Sequence, residues 1–176
     1  MPNEKLPKIT LKYNGLFDFD GMYAAIIDWS KNYGFMWHEG DYKHKVPSPQ
    51  GAEQEFKWLL QKNVTDYISY EILITVHAWE LLEVDVDVNG KKKSLSNGRL
   101  YIWMEPKVIW DWQKRFAKSG KFGKFLGKWY DKIMQRDIDA YMDPLYYRVW
   151  NLQALMKKYF DMQSKKYAYK GYLGEN

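Results

Sequence analysis

Three histidines, His38, His44 and His77, set the ceiling on acid–base and metal chemistry in this chain, which has no cysteine. Without cysteine there is no disulfide framework, no thiol catalysis and no thiolate-held zinc or iron–sulfur centre. His38 and His44 have Glu39 and Asp41 beside them, residue types that suit a divalent ion. Six residues of extended chain nevertheless separate the two rings by about 20 Å, so one ion cannot bridge them without a fold-back. No metal site is expected, and no cofactor. His77 lies in phase with Tyr67, Glu71 and Thr75 along one side of a strand-like stretch. That row lines a polar pocket if Tyr101 or Tyr42 closes over it, and is otherwise the half-solvated outer face of an antiparallel sheet. Glu83, Asp85 and Asp87 also share a face, as paired carboxylates for proton transfer would. The run Lys91 to Lys93 offers them cross-strand charge partners instead. Gly120, Gly123 and Gly127 lie among lysines but lack the Gly-Lys-Ser/Thr ending and preceding apolar strand of a phosphate-cradling loop.

The strongest candidate is a binding surface. Between Lys107 and Arg136 the chain carries nine basic residues, two acidic ones and seven aromatics, a local +7 against +5 for the whole protein. Phe122, Phe125, Leu126, Trp129 and Ile133 recur at helical spacing, and Lys121, Lys124, Lys128 and Lys132 run down an adjacent strip. The pattern is a basic amphipathic helix. Its apolar side can dock on the domain's own sheet, in which case the lysines only solvate the surface. It can equally meet an anionic membrane, with rings at headgroup depth and lysines on phosphates. RNA would use the same lysines for phosphates and the same rings for base stacking. Twenty-three lysines against four arginines favour diffuse attraction to phosphate or lipid headgroups over bidentate base readout. A partner protein or a homodimer would also cover such rings.

These residues need a scaffold, and 176 residues suffice for one domain. Residues 1–163 are expected to form it, with 164–176 a loosely ordered tail. Alternation predicts a first strand at Lys8 to Tyr13, ended by Asn14-Gly15. A helix follows from Asp18 to Tyr33 with Phe19, Met22, Tyr23, Ile26, Trp29 and Tyr33 on one face, then an edge strand from Phe35 to Val46 and a loop at Pro47 to Gly51. Phe56, Trp58 and Leu60 mark the next strand. Ile68, Tyr70, Ile72, Ile74, Val76 and Ala78 form a long apolar row whose phase continues through Leu82, Val84, Val86 and Val88. A straight strand of that length would run about 70 Å, so a bend near Glu80 is required. Asn89-Gly90 and Asn97-Gly98 are expected as hairpin turns, and Pro106 as an edge or bulge residue. The remainder predicts a helix from Lys121 to Tyr141 and a second one capped by Asp143 with Pro144 in its first turn, its apolar face Leu145, Val149, Leu152, Leu155, Met156 and Tyr159. The expected fold is α+β: a curved antiparallel sheet of five to six strands with one N-terminal and two C-terminal helices packed on it.

This order, carried by Lys8 to Tyr13, Asp18 to Tyr33, the strands between Gln54 and Met104 and the helix Pro144 to Met162, resembles the START-like or helix-grip superfamily. The resemblance implies a sheet wrapped round a C-terminal helix and an apolar cavity for a small molecule. One helix after the first strand, where that superfamily has two, and the added helix at Lys121 to Tyr141 depart from its pattern. The run Asn63 to Ile68 with the Gly90 hairpin is similar to uncharacterised archaeal proteins, which implies a cytoplasmic setting. Met1 to Lys5 carry no apolar stretch of the signal-peptide kind. The functional expectation is a non-catalytic module, cytoplasmic or peripheral at a membrane, that binds an apolar small molecule or an anionic lipid surface, with RNA binding or self-association as alternatives.

Overall fold

The computed structural model describes residues 2–48, 51–88, 91–114 and 120–160. Strands β1 (Asn3–Lys5) and β2 (Ile9–Phe17) precede helix α1 (Phe19–Asn32). Then come β3 (Met36–Ser48), β4 (Gly51–Asn63), β5 (Ile68–Val88), β6 (Lys91–Trp110), α2 (Gly120–Asp137) and α3 (Asp139–Tyr159). The six strands form one curved antiparallel sheet in which β1 and β2 share one side of β6, followed in order by β5, β4 and β3. The expected α+β architecture therefore forms, with β3 at the edge where its polar sequence placed it.

Period-two patterning decides which face the helices cover. Ile68, Tyr70, Ile72, Ile74, Val76 and Ala78 of β5 are all buried, together with Trp58 and Leu60 of β4, Leu100, Ile102 and Met104 of β6, and Ile9 and Leu11 of β2. Met22, Ile26 and Trp29 of α1 and Leu145, Val149, Leu152 and Met156 of α3 close over that row. Asp18 caps α1 by accepting the Gly21 backbone N–H at 2.9 Å, and Gly34 takes the positive φ of 72° beyond its C-terminus.

The bend in β5 falls where its length demanded one. Glu80 has φ 57°, and the register steps from Trp79↔Arg99 to Leu82↔Asn97, so Glu80 and Leu81 together oppose Gly98. This β-bulge ends the buried row at Ala78, and Leu82, expected to continue it, is exposed. Asn97-Gly98 is not a turn: both residues lie inside β6, paired with β2 on its other side through Gly15↔Gly98 and Leu16↔Asn97. Glycine is needed there because a Cβ at Gly98 would sit 2.9 Å from the Trp79 carbonyl oxygen. For the same reason β2 does not stop at Asn14-Gly15 but runs on to Phe17. The Asn89-Gly90 turn lies outside the described residues, as do the 164–176 tail and the Pro49-Gln50 part of the expected loop.

Pro106 is neither at an edge nor in a bulge; it pairs with Ile72 inside the sheet. Its carbonyl accepts the Leu6 N–H at 3.0 Å, so its missing N–H points to the β2 side of β6. There Leu6 to Lys8 form the gap between the β1–β6 and β2–β6 pairings, so the missing N–H falls where the ladder is already interrupted. The last helix also differs from expectation. It starts at Asp139, and Pro144 lies inside it; Tyr141 and Met142 both donate to the Ile138 carbonyl, so the first turn closes before the proline is reached.

Candidate functional site

Helix α2 stands at the end of the sheet where β5 begins, held by a small set of contacts. The Tyr67 hydroxyl donates to Asp131 Oδ1 at 2.8 Å, and the Tyr67 ring meets Tyr130 edge-on with centroids 4.7 Å apart. Burial, and then the bond to Asp131, push the Tyr67 phenol well above its usual range, so it stays a neutral donor. Next to this anchor, the Tyr70 hydroxyl donates to the Tyr141 carbonyl at 2.8 Å and ties α3 to the same strand.

Tyr130 and Asp131 face the anchor, and another side of the helix turns outward. Phe125 is 66% exposed, Trp129 58% and Ile133 36%, at positions i, i+4 and i+8 of one stripe. Lys128, Lys132 and Arg136 are exposed beside them. Lys121, Phe122 and Lys124 belong to α2, but their side chains lie outside the described ones. The apolar stripe read from the sequence is thus divided. Leu126 is half-buried, while Phe125, Trp129 and Ile133 point to solvent. No helix among the described residues is long and apolar enough to cross a membrane.

The polar row does not assemble into one site. Tyr67 serves the α2 anchor. Glu71 accepts Lys107 Nζ at 2.5 Å and Gln61 Nε2 at 3.1 Å. Thr75 is buried, and His77 Nε2 lies 2.8 Å from Glu53 Oε1 with its ring stacked on Trp79 at 3.9 Å. Glu71, Thr75 and His77 occupy the sheet face opposite the helices, and Glu71 and His77 have separate partners. Tyr42 lies on β3 near His44, with the hydroxyl 3.4 Å from Nδ1. Among the described residues no three His, Asp or Glu side chains are grouped to hold a metal. Of the acidic trio, Asp87 stands opposite Lys92 as expected, whereas Lys93 reaches the α1 cap instead, 2.6 Å from Asp18 Oδ2.

The same open face carries a feature that alternation alone could not show. Lys8 Nζ lies 4.7 Å from the Trp103 ring centre, Lys12 Nζ 5.2 Å from Tyr101, and the Arg99 guanidinium 5.8 Å from Trp79. Lys12 and Arg99 each reach a ring on the adjacent strand, and Lys8 reaches Trp103 of β6 from just before β2. The signal was present as Lys12 in register with Tyr101, and as Lys8 two residues before Thr10, which stands opposite Trp103, but it required the β2–β6 pairing to be read. Comparison of the chain with protein-family models, curated proteins and solved structures finds no match in any of the three.

Proposed function

We propose that the protein is a peripheral module that sits on an anionic membrane surface through α2. The observation that carries this reading is the outward stripe of Phe125, Trp129 and Ile133 beside Lys128, Lys132 and Arg136. Were the helix only a lid for the sheet, those rings would be the part that docks. Instead Tyr130 and Asp131 make the anchoring contacts, and Phe125, Trp129 and Ile133 meet water, which costs free energy unless a second surface covers them. Rings of this kind settle at headgroup depth, and each cation near an anionic leaflet contributes about 1 kcal/mol. Cytoplasmic placement at the inner face of a membrane fits both.

The apolar-ligand alternative has less support. Leu145, Val149, Leu152 and Met156 have no exposed surface, so no void of water size borders them and α3 fills the space that the START-like resemblance assigns to a cavity. RNA is the second reading, favoured by Tyr101, Trp103 and Trp79 on the open sheet face. There, however, the protein's own cations already cover the rings, and Lys107, Lys57 and Arg99 are paired with Glu71, Glu55 and Glu80, leaving little net charge for phosphates.

Flotation with anionic and with neutral vesicles tests the proposal. Recovery with anionic vesicles at physiological salt is expected, lost on Phe125→Ala/Trp129→Ala and weakened about tenfold or more by Lys128→Gln/Lys132→Gln. Failure to float, or flotation indifferent to both variants, removes the membrane reading. Salt-sensitive oligonucleotide binding would then select RNA, and a concentration-dependent dimer abolished by the aromatic variant would select self-association.

A further inference from the structure

A second concave site lies between α1 and the β3–β4 edge. It is a cavity of about 270 Å³ walled by Phe19, Tyr23, Tyr42 and Phe56 over the buried Trp58, with the carboxylates of Asp20, Glu39 and Asp41 at its rim. The rings form a continuous wall: Phe19 to Phe56 is 5.2 Å between centroids, Phe56 to Tyr42 5.1 Å, and Tyr23 to Trp58 5.4 Å. Four consecutive residues, Glu39 to Tyr42, line it, which strict strand alternation forbids. The register shift between Glu39↔Trp58 and Tyr42↔Phe56 supplies the exception by inserting one extra residue in β3. The Tyr23 hydroxyl donates to Glu39. That bond, followed by burial, pushes the Tyr23 phenol up to about 12, so the tyrosine remains a neutral wall.

The site differs from five other rings of the molecule. Trp103, Tyr101, Phe35, Trp79 and Tyr33 each have a lysine or arginine over the ring. Among the described residues no cation lies over the rings of this cavity, and none is paired with Asp20, Glu39 or Asp41. Lys57, at its border, is turned to Glu55 at 3.3 Å. Ring faces and carboxylates both attract positive charge, so here the cation must come from outside.

We propose that this cavity binds a methylated ammonium group. A metal ion or a primary ammonium holds its hydration shell tightly and, in a pocket walled on most sides by rings, would give up hydrogen bonds to water that the rings do not replace. N-methyl groups need no hydrogen bonds, spread the charge over an apolar surface and fit walls of Phe and Tyr, while the carboxylates act through charge alone. Such a group occurs on free quaternary amines and on methylated lysine side chains.

Calorimetric titration of the intact protein tests this with four probes: choline, its uncharged isostere 3,3-dimethylbutanol, and one peptide carrying either trimethyl-lysine or unmodified lysine. Choline should bind saturably and at least about tenfold more tightly than the isostere, a difference of about 1.4 kcal/mol. Tyr42→Ala and Asp41→Asn should each weaken binding about fivefold or more. Both residues are exposed on the edge strand, Tyr42 by 56%, so the circular dichroism spectrum should not change. A trimethyl-lysine peptide that outbinds choline would assign the ligand to a partner protein; choline binding as tightly as the peptide would assign it to a small molecule. Absence of binding, parity of choline with the isostere or of the two peptides with each other, or full binding by both variants would each overturn the proposal. Vesicle flotation tests a different surface and is independent of this outcome.

Discussion

Asp18 shows how much one carboxylate can carry. It accepts the Gly21 N–H and meets Lys93 Nζ at 2.6 Å, joining α1 to the β5–β6 ribbon. Burial pushes its pKa up, but the hydrogen bonds from Lys93 and Gly21 and the lysine's charge outweigh that and hold the carboxyl below its ordinary value. A depressed folded pKa contributes stability that is complete above the unfolded value of about 3.9 and lost as pH falls through the folded one. Asp18→Ala should therefore cost about 1 kcal/mol at pH 7. The variant and the parent should converge in urea unfolding near pH 2. Tyr67→Phe tests the α2 anchor in a similar way. Losing the hydrogen bond to Asp131 should cost about 1 kcal/mol, and amide exchange should speed up along α2 while β5 keeps its protection.

At the scale of elements, the bulge in β5 is the feature that fixes the register of the sheet. Gly98→Ala would force a methyl to within 2.9 Å of the Trp79 carbonyl oxygen, and the resulting backbone shift should cost about 2 kcal/mol or more by chemical denaturation. The need for a bend was legible in the uninterrupted apolar row, because a strand that long cannot stay straight within one domain. The role of Asn97-Gly98 was not, since a glycine that closes a turn and one that makes room for a neighbouring bulge have the same local sequence. Pro106 was misread because its tolerance depends on a gap between two other strands. The start of α3 was hidden because Asp143-Pro144 carries a cap signal that the backbone overrides by closing a turn at Ile138. For α2 the periodicity correctly revealed an amphipathic helix. Which part of its wide apolar arc would dock depended on Tyr67, 64 residues from its partner Asp131.

Across the whole molecule, the proposed binding surfaces and the core draw on different residues. The core of Ile72, Ile74, Val76, Ile102, Met104, Leu152 and Met156 is fully enclosed, so Met156→Ala should cost about 2–5 kcal/mol. Phe125→Ala/Trp129→Ala should instead leave unfolding free energy within about 0.5 kcal/mol of the parent while, on the proposed function, abolishing flotation. The pairing of β2 with β6 bears on how such a molecule comes to exist. Ile9 finds Met104, and Phe17 finds Ser96, so the first long strand to be synthesised waits about 80 to 95 residues for its neighbour. The β3–β4–β5 meander can form from local hairpins, but the sheet is sealed only when β6 arrives between two strands already made. Such long-range closure slows folding. Until then Ile9 and Leu11 remain uncovered on the nascent chain, which makes the N-terminal strand the segment most in need of protection during synthesis.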